Sequence, residues 1–200
     1  MMQFKPLSLS TLKSNTGYYR PYFNTPNLVK VGASALEVMT DLRYVPAATI
    51  QENVDIDTAT QKMIARGVRA LLVIDERDDV IGIITAHDLM GNRLDQIVAR
   101  GISISDIRVR EIMTAHEQIE VLPLDDVLHA HVGDIVETLK NSGRQHALVV
   151  EDDPLTEKPT IRGIFSASQI ARQLGIPLQG QELTQTFAQI DVAINLHNAN

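Results

Sequence analysis

The hydrophobic positions of this chain fall into the same order twice. Ala70-Leu-Leu-Val-Ile74 and Ala147-Leu-Val-Val150 are continuous apolar runs, the pattern of a strand covered on both faces. Each run follows a stretch with apolar residues at helical spacing. In the first it is Ile56, Ala59, Thr60, Met63 and Ile64, closed by Gly67; in the second it is Val132, Ile135, Val136 and Leu139, closed by Gly143. A further apolar string comes after each run: Val80-Ile-Gly-Ile-Ile84 across the charged turn Asp75–Asp79, and Ile161-Arg-Gly-Ile-Phe165 across a longer turn holding Pro154 and Pro159. These strings predict hairpin partners. Short strands are expected upstream at Val45–Ile50 and Ile119–Leu122. Helices are expected to open at Thr85, carrying Leu89 and Met90, and at Ser166, running through Ile170 and Leu174 to Gly175. The order is strand, helix, strand, strand, helix in both halves.

The two halves also agree in detail. Gly67 and Gly143 each stand eight residues before an acid, Asp75 and Glu151. A Gly-Ile-hydrophobic-Ser/Thr string follows at Gly82–Thr85 and Gly163–Ser166, and a polar side chain comes three residues later, Asp88 and Gln169. An internal repeat of this kind is a supersecondary unit that buries its apolar face against its copy. Two units predict one paired module with ligand sites in the clefts between them. The division expected is an arm over 1–33, a first repeat over 34–100, a second over 101–176 and a C-terminal segment over 177–200. Ser34-Ala-Leu-Glu37 reads as a capping box opening a short turn. Leu183, Phe187, Ile190 and Ile194 give the C-terminal segment one apolar helical face.

Composition narrows the function. With 200 residues and 44% hydrophobic content the chain can form a sizeable core. It has no cysteine, which excludes disulfides, thiol catalysis and Cys-ligated zinc and fits a reducing, cytoplasmic setting. No apolar run approaches the ~18 residues of a membrane span, and no signal-peptide core is expected. The net charge of −7 is uneven: Lys5, Lys13, Arg20 and Lys30 are the only charges before Glu37, leaving −11 on the remainder. An acidic body does not suit nucleic acid, whose phosphates call for clustered Lys and Arg. Five of the eight aromatics, Phe4, Tyr18, Tyr19, Tyr22 and Phe23, lie in the arm, which is therefore expected to dock on its own body or on a second subunit.

The repeat resembles the CBS (cystathionine-β-synthase-type) domain, which occurs in tandem as a Bateman module. The resemblance rests on the lead-ins Val38-Met39-Thr40 and Ile112-Met113-Thr114, the strands running from Gly to Asp/Glu, and the Gly-Ile-x-Ser/Thr-x-x-Asp ending, over residues 34–175. It implies an α/β (α+β) fold of two pseudo-symmetric β-α-β-β-α repeats packed as one module. It also implies a non-catalytic regulatory role, in which an adenosine compound (AMP, ADP, ATP or S-adenosylmethionine) binds between the repeats. Homodimers formed through helices and a separate regulated protein partner belong to the same picture.

For the site, the resemblance implies that Asp88 holds the ribose hydroxyls with Thr85 beside it. It further implies that Arg69 and His146 face phosphates, with the base resting near Thr114, Ile119 and a cleft-facing Ile84. The second cleft, built on Ser166, Gln169, Thr40 and Val45, is expected to be weak, altered or empty, because a neutral amide replaces the carboxylate. A plain structural reading stands beside this one. Thr85-x-x-Asp88 is close to a capping box and Ser166-x-x-Gln169 is a proper one, with no ligand required. His87 is expected to face solvent or a dimer contact. His129 and His131, two apart, diverge on a helix, so no metal is expected beside Asp125, Asp126 and Asp134. Leu89, Met90, Leu94, Ile97, Val98 and Ile170 are left to seal repeat to repeat and subunit to subunit. No nucleophile elbow or phosphate loop points to an enzyme. The alternative function is a constitutive interaction scaffold with vestigial clefts.

Overall fold

A computed structural model describes residues 28–176 and 187–190. The aromatic arm and Leu183 and Ile194 of the C-terminal segment lie outside the described residues. The elements in chain order are β1 (Thr40–Asp41), β2 (Thr49–Gln51), α1 (Ile56–Arg66), β3 (Ala70–Ile74), β4 (Val80–Thr85), α2 (Asn92–Ala99), α3 (Val109–Ile112), β5 (Thr114–Ala115), β6 (Val121–Pro123), α4 (Leu124–His129), α5 (Val132–Ser142), β7 (His146–Asp152), β8 (Pro159–Ser166) and α6 (Ala167–Gln173). Residues 187–190 are helical.

The local signals act as physical chemistry requires. Asp55 caps α1 by accepting from the Thr58 N–H at 2.8 Å, and the chain leaves the helix through Gly67 at φ 64°. The Asp134 carboxylate reaches back to the His131 N–H at 2.8 Å to start α5, which ends at Gly143, again at φ 64°. Glycine enters that left-handed region without the Cβ clash other residues meet. Ser34 opens a 3-10 turn, Ala35–Val38, with its hydroxyl accepting from the Leu36 N–H. That bond spans two residues and is not the Ser34–Glu37 box expected.

The strands form two four-stranded sheets, ordered β2-β3-β4-β5 and β1-β8-β7-β6. β2 runs parallel to β3 and β6 parallel to β7, and the hairpins β3-β4 and β7-β8 are antiparallel. Both hairpins carry a register shift at the same place, between Val73 and Ile74 and between Val149 and Val150. The edge strands are exchanged: β5, the lead-in of the second repeat, pairs with β4, and β1, the lead-in of the first, pairs with β8. Each sheet therefore contains a strand from the other half of the chain.

Strand alternation explains why the central runs are apolar throughout. Leu71, Val73 and Ile84 enter a first core with Ile50, Ile56, Ala59, Met63, Ile107, Val109 and Ile112. Val149 and Phe165 enter a second with Ala35, Val38, Val132, Ile135, Val136, Leu139 and Ile170. The neighbours on the opposite faces, Leu72, Ile83 and Leu148, form a third cluster through which the two sheets meet, with Ile119 and Ile164 packed against it. Phe187 and Ile190 are buried in the second core, so the described part of the C-terminal segment covers its own chain.

The repeated glycines follow from the exchange. A Cβ built on Gly82 would lie 2.7 Å from the Thr114 carbonyl oxygen and 2.9 Å from Met113 Sδ. One on Gly163 would lie 2.5 Å from Met39 Sδ and 3.1 Å from the Thr40 oxygen. The Met-Thr lead-in of one repeat thus presses against the Gly-Ile string of the other, and two motifs that look separate in the sequence are the halves of one contact. On the second sheet the exchanged strand is also held by charge. The Arg162 guanidinium donates to both Asp41 carboxylate oxygens, and its Nη1 lies 3.7 Å from Glu151, which in turn accepts from Arg43 at 2.8 Å. Hydrogen bonding to Arg162 holds the Asp41 carboxyl below its usual range.

Two sequence expectations fail here. No α-helix opens at Thr85: residues Asp88–Met90 form a 3-10 turn, and the α-helix begins only at Asn92, after Gly91. Ile170 is fully buried in the second core and offers no surface to a partner. Met90 and Val98 are the exposed members of the predicted apolar face, while Leu89, Leu94 and Ile97 pack against the first core. Among the described residues no helix is long and apolar enough to cross a membrane.

Candidate functional site

Two clefts lie between the repeats, related by the internal symmetry of the chain. The first, a cavity of about 160 Å³, is lined by Ile83, Thr85, His87, Asp88, Thr114 and residues 143–146. The second, a cavity of about 140 Å³, is lined by Thr40, Leu42, Val45, Pro46, Ala48, residues 67–70, His146, Ile164, Ser166, Ser168, Gln169 and Arg172. Strand exchange builds them, since each cleft combines the end of one hairpin with the lead-in strand that crosses from the other repeat.

In the first cleft, β4 ends at Thr85 and the chain folds into the Asp88 turn. Asp88 Oδ2 accepts from the Thr85 N–H at 2.8 Å and from the Thr85 hydroxyl at 2.7 Å, while the Asp88 N–H points to Thr85 Oγ1 at 3.3 Å. This is the reciprocal capping geometry in full. It occupies one carboxylate oxygen only: among the described residues Asp88 Oδ1 has no hydrogen-bond partner. Arg144 projects from the loop before β7, with Nη2 on the Gln118 carbonyl at 3.0 Å and Nε 3.7 Å from Glu120. The cleft thus offers an open carboxylate oxygen and a nearby cation beside the apolar side chain of Ile83.

His146 lines both clefts. Its Nδ1 is buried without a hydrogen-bond partner among the described residues. Burial, reinforced by the positive charge of Arg69, lowers its pKa from 6.5 to about 4, so the imidazole is neutral at pH 7.

The second cleft is built differently. Gln169 Oε1 accepts from the Thr40 hydroxyl at 3.2 Å, and the Ser166 and Ser168 hydroxyls lie 3.1 Å apart. Ser166 makes no side-chain cap on α6, so the capping box expected at Ser166 and Gln169 is absent. The amide turns instead to the exchanged strand.

Thr85, Asp88, Thr114 and His146 come together as the sequence reading placed them, and Ser166, Gln169, Thr40 and Val45 line the other cleft. Three assignments are corrected. Arg69 lines the second cleft rather than the Asp88 cleft, because each cleft borrows its helix–strand loop from the opposite repeat. Ile84 is fully buried in the first core, and its neighbour Ile83 faces the cleft, as alternation along β4 dictates. Ile119 packs against the inter-sheet cluster and is not among the residues lining the first cleft. His87 is exposed to solvent, as expected, and also borders the first cleft. Arg144 was missed. The signal for it was its place directly after Gly143, next to the position that matches Arg69. His129 and His131 serve helix ends, with His129 Nδ1 on the Asp125 carbonyl at 2.9 Å and His131 Nδ1 3.3 Å from Asp134.

The comparisons agree with this architecture. The family model for the CBS domain matches residues 34–95. Inosine-5'-monophosphate dehydrogenase of Thermoplasma acidophilum is 28% identical over 110 residues, which cover 55% of this chain and 21% of that enzyme; the match falls on its CBS part. Among solved structures, an uncharacterised conserved protein from Pyrococcus horikoshii superposes with a TM-score of 0.54 at 20% identity, over 76% of this chain and 99% of that one. A CBS-domain containing protein from Agrobacterium tumefaciens gives 0.53 at 17% identity, over 79% and 98%. Residues 34–95 match a CBS domain, and the second half of the chain repeats the same arrangement of parallel strand, hairpin and exchanged edge strand.

Proposed function

We propose that this CBS pair is a non-catalytic sensor that binds an adenosine-containing ligand in the Asp88 cleft and passes the binding event on through its packing. The observation that carries the reading is the half-used carboxylate. Thr85 fixes Asp88 Oδ2, which orients the group, and Oδ1 remains to accept from a ribose hydroxyl. Ile83 supplies an apolar wall, Thr114 brings in the crossing strand, and Arg144 and the neutral imidazole of His146 supply donors for a modest negative charge. AMP or S-adenosylmethionine suits that inventory better than a bare triphosphate.

Because each cleft joins both repeats through an exchanged strand, a ligand that prefers one spacing of the sheets shifts their packing by its differential affinity for the two arrangements. The exposed side chains Met90 and Val98 are where a second copy or a regulated partner would sense that change. The reciprocal Thr85–Asp88 cap favours the other reading, a scaffold whose motif only terminates a strand.

Isothermal titration separates the two. The sensor reading expects AMP, ADP, ATP or S-adenosylmethionine to bind with a preference for ribose over 2′-deoxyribose. Asp88→Ala should abolish that preference and weaken binding about 10- to 100-fold, the worth of a charge-assisted hydrogen bond. Gln169→Ala should leave it intact. Absence of binding by all four ligands, with Asp88→Ala merely less stable, would establish the scaffold.

A further inference from the structure

A third cavity lies at the other end of the second sheet from the clefts. We propose that it docks a segment of this same chain, the aromatic and basic residues 18–23 of the N-terminal arm. The inference does not depend on ligand binding at Asp88.

The cavity follows from a difference between the repeats. β3 ends at Ile74, level with the end of its parallel neighbour β2. β7 continues past Val150, which pairs with the last residue of β6, Pro123. Glu151 and Asp152 therefore have no strand beside them on that side, because the chain turns after Pro123 into α4. The overhang leaves a cavity of about 430 Å³ with apolar walls of Pro123, Leu124, Val150 and Pro159. Its charged lining is acidic throughout, Asp125, Glu151 and Asp152 with no basic residue. Both clefts, by contrast, carry arginine. Glu151 is already joined to Arg43 and Arg162. Asp125 and Asp152 are exposed, and their carboxylates have no hydrogen bond or ion pair among the described residues. An occupant of complementary chemistry brings a cation for these two carboxylates and flat apolar groups for the walls.

The arm has that chemistry. Its Arg20 stands between Tyr18, Tyr19, Tyr22 and Phe23, and no acid precedes Glu37. Arginine and tyrosine are among the residues that most often carry the binding energy of protein interfaces. The arm also joins the body on the right side. Val29 donates its N–H to the Gln173 carbonyl, and Gly133 donates its N–H to the Val31 carbonyl, each at 2.9 Å. Gln173 ends α6, which starts directly after β8; Gly133 lies in the first turn of α5, which runs back to the start of β7. Both helices thus lead from the cleft end of the sheet toward the end where β7 stops. Arg20 is eight residues before Leu28, an extended reach of about 26–29 Å. The 11 residues of α5 measure only about 16 Å. The segment can therefore reach the cavity of its own chain, where its tether gives it a high effective concentration over a second copy.

The tyrosines report on the docking. The chain has no tryptophan, and Tyr44 is its one tyrosine outside the arm. In full-length Tyr44→Phe protein the tyrosine fluorescence comes from Tyr18, Tyr19 and Tyr22 alone. Acrylamide quenching then reads their exposure, with a synthetic peptide of residues 14–27 as the free reference. The arm should be quenched less than the peptide, at every protein concentration. Asp152→Lys and Arg20→Glu should each lower the ratio of docked to free arm about twofold to fivefold, the worth of an exposed ion pair. The two changes together should regain much of the protection. Asp152 is exposed, so the fold survives its replacement, which circular dichroism checks. Quenching equal to that of the peptide, protection unaltered by Asp152→Lys, or no recovery in the double variant would each overturn the proposal. Protection that vanishes on dilution would also overturn it and assign the arm to a second copy.

Discussion

Replacing Gly82 and Gly163 by alanine tests whether the exchanged edge strands hold the module together. Neither glycine has the positive φ that demands one; both are fixed by close approach. At Gly82 the new methyl would sit 2.7 Å from the Thr114 carbonyl oxygen, backbone of the very strand with which Gly82 is paired, opposite Ala115. Relief requires the strands to part by several tenths of an ångström, which weakens a two-residue edge strand and opens the first cleft beside Thr114. At Gly163 the tightest contacts, 2.5 and 2.7 Å, are to Sδ and Cγ of Met39, and the Thr40 oxygen stands further off at 3.1 Å. A methionine side chain can turn aside, whereas a carbonyl in a sheet cannot. Overpacking costs about 1–3 kcal/mol, so Gly82→Ala should fall near 3 kcal/mol and Gly163→Ala near 1 kcal/mol. Equilibrium urea unfolding followed by circular dichroism reads both. A double-mutant cycle sharpens the test: Met39→Ala should relieve much of the Gly163→Ala penalty, while Met113→Ala should leave most of the Gly82→Ala penalty in place. A Gly82→Ala cost below that of Gly163→Ala, or full rescue by Met113→Ala, would refute the reasoning.

Further outcomes follow from the same geometry. Gly67→Ala and Gly143→Ala place a Cβ at φ 64° and should each cost about 1–2 kcal/mol in urea midpoint, with ligand affinity little changed. The His146 pKa, lowered from 6.5 to about 4 in the folded chain, means that the unfolded chain binds more protons between those values. The stability it contributes is therefore complete above about pH 6.5 and falls as pH drops toward 4, by up to about 1.4 kcal/mol per unit; His146→Gln should flatten the slope between pH 6.5 and 5 in urea midpoints, and an unchanged slope would contradict the assignment. Asp88→Ala, apart from its effect on ligand, removes the cap on Thr85 and should lower stability by about 0.5–2 kcal/mol.

Much of this was legible from periodicity. The apolar runs at 70–74 and 147–150, the helices ended by Gly67 and Gly143, and the order of elements follow from local rules that the tertiary structure did not override. What the sequence could not supply is which elements share a sheet. Strand exchange is a long-range pairing, and nothing within the Met39-Thr40 segment announces that it belongs beside Gly163 rather than beside its own hairpin. The misplacement of Arg69 has this origin: assigned to the Asp88 site on the family resemblance, it is carried to the opposite cleft by the crossing topology. The error at Ile84 is of another kind. Alternation along β4 was available, since one of two adjacent isoleucines must face the core, but choosing between Ile83 and Ile84 required knowing which face the helices cover. The Ser166–Gln169 box failed because a neutral amide found a better partner in Thr40, a residue far away in sequence.

A crystal structure of the full-length protein with the tightest-binding of the four adenosine ligands tests the central claim most directly. The account predicts a ligand in the first cleft with a ribose hydroxyl within hydrogen-bonding distance of Asp88 Oδ1, Oδ2 still held by Thr85, and the base against Ile83. A ligand found elsewhere, or one in this cleft with its ribose turned away from Asp88, would contradict it.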